Sequence, residues 1–234
     1  MMLATEYSEL DQTYAVYQFK VRNAHIINYN YILVDLQSGR SAIIDPAWNL
    51  DLINRVFHEI GTQPDTVLLT HAHHDHVNLV EEMVNRYNVQ VYMSKTEIES
   101  YGFSAGNLIP VEDGDTIPLG DTRITCLLTP GHTAGSLSFL LKGCMFTGDT
   151  IFIEGCGVCD MPGGSPEQMF HSIQKVKRYV NPSVRIFPGH SFGKDPGYPL
   201  SYLLENNIYF LIDELSLFVN FRMRKNQMHL FDFK

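Results

Sequence analysis

The chain is short of cysteine, of basic residues and of long apolar runs, and each shortage closes off a class of protein. Four cysteines in 234 residues are too few to staple a small secreted scaffold, and the Cys156-Gly157-Val158-Cys159 pair has no second pair with which to build a structural zinc knot. Seventeen Lys and Arg stand against 26 Asp and Glu, for a formal net charge of -9. A nucleic-acid binder needs the opposite balance, because phosphate neutralisation drives its affinity. No segment reaches the roughly 18 apolar residues of a membrane span. Residues 1–6 lack the basic start and apolar stretch of a secretory signal, so reduced cysteines and a cytoplasmic location are expected. Low-complexity tracts are also missing, and a hydrophobic fraction of 44% is enough for a buried core throughout.

What is present is an alternation of periods. Loose apolar alternation over residues 14–21 and 26–34, then Ala42-Ile43-Ile44, reads as opening strands. Leu50, Leu52, Ile53, Val56, Phe57 and Ile60 fit one helical face that ends at Gly61. Thr66-Val67-Leu68-Leu69 is a continuously apolar run, as expected of a strand covered on both faces. A helix over 77–87, a strand over 89–93 and a helix over 95–101 follow, then strands at 116–119, 123–128, 136–141 and 144–146. A helix over 166–179, a strand over 184–187 and helical sequence from Leu200 complete the pattern, which predicts a layered α/β domain with helices outside stacked sheets. Residues 194–197 form a turn-rich joint, dividing a main domain, 1–195, from a short C-terminal helical extension, 196–234.

Chemistry concentrates at strand ends. In Thr70-His71-Ala72-His73-His74-Asp75-His76, four imidazoles and a carboxylate follow a buried strand within six residues. On extended backbone alternate side chains share a side, so His71, His73 and Asp75 are expected to converge while His74 points away. Imidazole and carboxylate are suitable ligands for zinc and related divalent metals. Three further strands end in glycine followed by a metal-binding type: Pro130-Gly131-His132, Thr147-Gly148-Asp149 and Pro188-Gly189-His190. A turn before a lone His or Asp is ordinary surface; four such places in one chain indicate a shared cleft. Asp45, at the strand end Ile43-Ile44-Asp45-Pro46, suits either a turn cap or a hydrogen-bond acceptor for a ligand imidazole. Cys156 and Cys159 read as packing residues, and His25, His58, His171 and His229 lack any motif.

These residues resemble the metallo-β-lactamase superfamily, and its glyoxalase II branch in particular, over about residues 14–195. The resemblance implies an αββα sandwich with a binuclear site. By motif position His71, His73 and His132 would hold a first zinc, and Asp75, His76 and His190 a second, with Asp149 bridging and iron or manganese as possible substitutes. Two such cations lower the pKa of a shared water to about 7, and Asp75 beside it would orient it and take its proton. A thiolate leaves readily because a free thiol's pKa is about 8.5, which favours thioesters as the substrate class.

Glutathione-using members of the branch usually carry a basic residue just after Gly-Cys-Gly. Here that position is Val158, which cannot hold a carboxylate. The layout and the stretch from Tyr198 to Phe210 instead resemble the stand-alone, PksB-like zinc hydrolases of bacterial polyketide gene clusters. That implies removal of acyl groups from acyl carrier protein, with a small thioester as the simpler partner. Arg222, Arg224 and Lys225 are then expected to form a basic patch for the acidic carrier. Hydroxyacylglutathione hydrolysis, iron-dependent persulfide oxidation and lactone opening remain the alternatives on the same ligands.

Overall fold

The computed structural model describes residues 3–7 and 13–225. Strands β1 (Thr5–Tyr7), β2 (Tyr14–Asn23), β3 (Ile26–Asp35) and β4 (Ser41–Ile44) form an antiparallel meander. Helix α1 (Leu50–Ile60) crosses to β5 (Thr66–Leu68), which lies parallel to β4. The Asn49 side chain accepts the Leu52 N–H at its start, and Gly61 closes its end at φ 75°, as expected. After β5 come α2 (His74–Val77), α3 (Val80–Tyr87), β6 (Gln90–Ser94), α4 (Lys95–Tyr101) and β7 (Leu108–Val111), with β6 and β7 continuing the parallel half of a seven-stranded sheet in chain order.

The second sheet has six strands. β8 (Thr116–Leu119), β9 (Thr122–Leu128), β10 (Leu137–Leu140) and β11 (Cys144–Gly148) run antiparallel, and a short hairpin, β12 (Ile151–Phe152) with β13 (Gly155–Cys156), stands apart. Helix α5 (Pro166–Tyr179) carries the chain to β14 (Arg185–Pro188), parallel to β11, and β15 (Tyr198–Pro199) adds an edge. Three helices follow: α6 (Leu200–Asn206), α7 (Ile208–Leu211) and α8 (Leu215–Arg222).

Side-chain alternation along the central strands dictates the layers. Tyr31, Leu33, Ile44 and Leu68 of the first sheet meet Ile124, Phe139, Phe146 and Phe187 of the second, and all are buried. Their neighbours Ile32, Ile43, Val67 and Val91 face the other way, onto Ile53, Val56 and Phe57 of α1 and Val80 and Met83 of α3. On the far side Met145 and Ile186 meet Met169, Ile173 and Val176 of α5, together with Leu203, Phe210 and Phe218 of α6 to α8. Both central faces of each sheet are thus dry, which is why these strands read as unbroken apolar runs. The result is helix, sheet, sheet, helix.

Three expectations need correction. The single helix over 77–87 is two helices, because Asn78 donates to the His74 carbonyl and accepts the Trp48 N–H at 2.9 Å, which stops the first after one turn. Strands β7 and β15 were not legible, since Pro110 and Pro199 break the strand signal; both strands sit at sheet edges, where a missing N–H costs no ladder bond. Finally, the turn-rich joint at 194–197 leads straight into β15, so residues 198–199 are paired to the main sheet. His229 lies outside the described residues. No helix among those described is long and apolar enough to cross a membrane.

Candidate metal centre

All seven candidate ligands lie at the ends of β5, β9, β11 and β14, on one edge of the sandwich. The expectation that His71, His73 and Asp75 alternate on extended backbone holds only to His73. Asp75 and His76 sit in the single turn of α2, so helix geometry rather than strand alternation turns both inward while leaving His74 exposed. At Gly189 a Cβ would stand 2.6 Å from both Asp149 Oδ1 and His76 Cε1, so only glycine lets the β14 turn pass beside the ligands.

The donor atoms gather in two sets. His71 Nε2 and His132 Nε2 each lie 3.0 Å from His73 Nδ1. Asp75, His76 and His190 form the second: His190 Nε2 is 3.2 Å from Asp75 Oδ2, and His76 Nε2 is 3.5 Å from the same oxygen. Asp149 faces both sets, 3.3 Å from His190 Nε2 and 3.7 Å from His132 Nε2 through Oδ2.

The outward ring nitrogens settle the tautomers. His132 Nδ1 donates to the Val158 carbonyl at 2.8 Å, His190 Nδ1 to the Ile27 carbonyl at 2.7 Å and His76 Nδ1 to Asp45 Oδ2 at 2.9 Å. None of these acceptors has a proton to give, so each imidazole carries its own on Nδ1 and turns Nε2 inward, where the neutral ring offers a lone pair. His71 follows suit, because the Thr70 hydroxyl donates to Asp45 at 2.6 Å and so accepts from His71 Nδ1 at 3.0 Å.

This arrangement tests whether a cation fits. His71 Nε2 and His132 Nε2 both point lone pairs at His73 Nδ1, which has at most one proton to share. Among the described residues His76 Nε2 and Asp149 Oδ1 are buried with no hydrogen bond at all. Buried polar atoms without partners are costly, and two divalent cations at the two sets would satisfy each of them. Asp45 belongs to a third grouping with His71 and His76, but its oxygens are occupied by Thr70 and His76 Nδ1, so it orients ligands.

Charge divides the site in the same way. Burial and then the neighbouring His132 push His73 down to about 4; burial likewise lowers His71 and His132, so all three are neutral and ready to bind. Burial also disfavours protonated His76 and His190, but the Asp149 carboxylate outweighs it, raising His190 to about 9 and His76 well above its ordinary value, so at these two rings a second proton and a cation compete for the same inward Nε2. Asp75 and Asp149 are held below the usual carboxylate range by those same imidazoles, against the effect of burial.

Three contributors escaped sequence reasoning. Asn28 donates to Asp75 Oδ2 at 3.1 Å, and its only local signal is a polar residue inside an apolar strand. Glu97, fully buried in the first turn of α4, accepts from Ala72 N, Thr133 Oγ1 and Gly135 N, tying the His71–His73 loop to the His132 loop; in sequence it looks like an ordinary helix-start acid. Arg222 was expected on a basic patch, yet it is 2% exposed and its Nε donates to the Gly157 carbonyl at 2.9 Å. Arg224 is exposed but lies over the Phe221 ring, and Lys175 and Lys177 pair with Asp113 and Asp213. Cys156 and Cys159 are free and buried in the outer core, consistent with packing.

Comparison with known proteins agrees with this geometry. The family described as the metallo-beta-lactamase superfamily matches residues 27–190. A Bacillus subtilis (strain 168) protein named "Probable polyketide biosynthesis zinc-dependent hydrolase PksB" is 49% identical over 225 residues, 96% of this chain and 100% of that one. A "Hydroxyacylglutathione hydrolase" of Serratia proteamaculans (strain 568) is 37% identical over 149 residues, 63% of this chain and 56% of that protein. Among solved structures, a metallo-beta-lactamase from Staphylococcus aureus subsp. aureus COL superposes with a TM-score of 0.81 at 26% identity, covering 90% of this chain and 68% of that one.

Proposed function

The chain belongs to the metallo-β-lactamase superfamily, and from that premise we propose that it is a zinc-dependent thioesterase that removes acyl groups from acyl carrier protein in polyketide biosynthesis. The observation that carries the metal-dependent reading is that His76 Nε2 and Asp149 Oδ1 are buried with no hydrogen-bond partner while His71 Nε2 and His132 Nε2 both turn to His73 Nδ1, which has at most one proton to share. In this reading His71, His73 and His132 hold one zinc, Asp75, His76 and His190 the other, and Asp149 stands between them; iron or manganese would suit the same donors. Bound there, the two cations would supply a hydroxide nucleophile at neutral pH and polarise the scissile carbonyl.

The protein's own groups do the rest. Asp75 serves as the base in this reading, because its side chain keeps 23% of its exposure where that of Asp149 keeps 10%, which leaves it the better placed of the two to pass a proton to solvent. Asp45, Val158 and Ile27 hold the ligand imidazoles in the tautomer that binds metal. A thiolate leaving group requires no further acid. Residues 1–195 form the catalytic domain in this view, β15 remains paired to its sheet, and the helices of residues 200–222 are its extension.

The choice of carrier rests on Val158 and on the extent of similarity. Likeness to the polyketide hydrolase runs the whole length, whereas likeness to the glutathione enzyme stops at 56% of that protein. Val158 contributes its backbone carbonyl to His132 and leaves an apolar side chain where a basic one would hold the glutathione carboxylate. Free, buried cysteines suit a reducing cytoplasm. A glutathione thioesterase is the second reading, favoured by the Serratia relative.

Metal analysis of the purified protein, run beside turnover of an acyl-carrier thioester, an acyl-glutathione and a lactone, separates these readings. Two equivalents of zinc and a preference in kcat/KM for the carrier thioester are expected. Faster acyl-glutathione turnover would replace the carrier assignment, and a metal-free active enzyme would end the metal-dependent one.

A further inference from the structure

Asn28 is 1% exposed and lies 47 residues before Asp75 in sequence, yet its amide is fully committed to that residue and one other. Nδ2 donates to Asp75 Oδ2 at 3.1 Å and to the Asp75 carbonyl at 3.0 Å, and it passes 3.5 Å from His190 Nε2. Oδ1 accepts the indole N–H of Trp48 at 2.7 Å. This orientation has no alternative. An indole nitrogen only donates and a carboxylate only accepts, so a flipped amide would set oxygen against oxygen and N–H against N–H.

Trp48 is itself held at a cost. Its φ is 64°, a left-handed conformation that a bulky side chain rarely adopts, and its N–H is taken by Asn78 Oδ1 at 2.9 Å. Strain of this kind survives only where the surroundings over-determine it, and it gathers at functional sites. Asp45, three residues earlier, is also left-handed at φ 50° and orients His76. One turn between β4 and α1 therefore addresses two consecutive candidate ligands: Asp45 directs His76, and Trp48, through Asn28, directs Asp75.

We propose that Asn28, aligned by the Trp48 indole, is a positioning residue that aims the Asp75 carboxylate at the second metal and at the nucleophile. The inference rests on the two-metal reading above and adds to it a residue outside the ligand set. Without the amide, Asp75 Oδ2 loses its one neutral donor and the carboxylate can rotate away from His76 and His190. The first set, His71, His73 and His132, makes no contact with Asn28 among the hydrogen bonds of the described residues, so its affinity should not change.

Trp48 is the only tryptophan in the sequence, and its ring meets the His74 ring edge-on at 5.7 Å beside Asp75, so its emission reports on this chain of contacts. The test titrates zinc into chelator-treated wild type and Asn28→Leu, following bound metal by competition and Trp48 emission, with kcat and KM on a small thioester. In wild type the emission step is expected with the second equivalent. In N28L the second equivalent should bind roughly 10- to 100-fold more weakly, the emission step should vanish, and kcat should fall while KM stays within about twofold. Trp48→Phe, which keeps an aromatic ring and removes the N–H, should weaken the second metal by a smaller factor, and the double variant should be no worse than N28L. W48F also serves if N28L fails to fold. Equal weakening of both equivalents, in step with a lower Tm of the metal-free protein, would overturn the inference in favour of a merely structural role, as would wild-type binding in W48F and N28L. If wild type itself takes up no second equivalent, the two-metal reading fails instead.

Discussion

Asp45 Oδ2 accepts the Nδ1–H of His76 at 2.9 Å while the same carboxylate takes both the N–H and the hydroxyl of Thr70, at 2.8 and 2.6 Å. One buried side chain thereby joins the end of β4 to the end of β5 and fixes the tautomer of a ligand candidate. The sequence left two roles open for Asp45, turn cap and imidazole acceptor; its carboxylate makes the second contact, and the backbone N–H it takes is that of Thr70, not one of its own turn. Asp45 also lies in the left-handed region, at φ 50°, where Asn and Asp are tolerated.

Asp45→Asn is therefore the informative substitution, since it preserves the backbone and removes one acceptor. We expect a loss of about 1–3 kcal/mol in stability, seen as a lower urea midpoint at unchanged slope. Zinc affinity at the set containing His76 should fall as well, measured by competition with a chromophoric chelator, while the three-histidine set is spared the larger effect.

Gly157 is the place where the C-terminal helices reach the site. Its carbonyl accepts from Arg222 Nε at 2.9 Å, and a Cβ added there would stand 2.0 Å from the Asp149 carbonyl and 2.9 Å from His132 Nδ1. Backbone cannot yield by that amount without moving both residues. Gly157→Ala should lower the zinc-to-protein ratio of the purified enzyme and reduce turnover by more than tenfold, an effect of about 1.4 kcal/mol or more on the barrier. Retention of two zinc ions at wild-type activity would show that the loop can shift freely.

Asp35 governs an acid transition away from the metal. Burial alone would raise its pKa, but hydrogen bonds from the side chain and N–H of Ser38 and of Thr122 bring it down to about 2. Since the unfolded value is about 3.9, the folded state binds its proton more weakly. The carboxylate thus contributes stability that is complete above about pH 4 and is lost as pH falls toward 2. With chelator present throughout, to remove metal-linked protonation, the difference in urea midpoint between wild type and Asp35→Asn should shrink across that window. A constant difference would show that these bonds do not depend on the charge.

The ligand inventory was readable because each member is announced locally. A strand ends, a glycine or a histidine run follows, and the side chain sits within a residue or two of the signal, as at Gly131-His132 and Gly189-His190. The apolar runs likewise marked strands covered on both faces, since such patterning is a property of neighbouring positions, but they left open which residues meet between the sheets. Where a local signal was ambiguous, the reading slipped. Asp75 was placed on extended backbone and lies in α2, and the helix over 77–87 was read through the break at Asn78.

Sequence by itself thus determined the layered fold and the list of residues that gather at the strand ends, because both follow from short-range pattern. Only the tertiary structure decided what holds those residues in place. Asn28 meets Asp75 across 47 positions, Glu97 joins loops 25 and 38 residues away, and Arg222 reaches Gly157 across 65. A polar side chain's partner is chosen by the cost of burying it unpaired, and that cost exists only once the chain has closed around it. For the same reason Arg222, one member of a basic run in sequence, became an internal clamp on the loop that carries Val158.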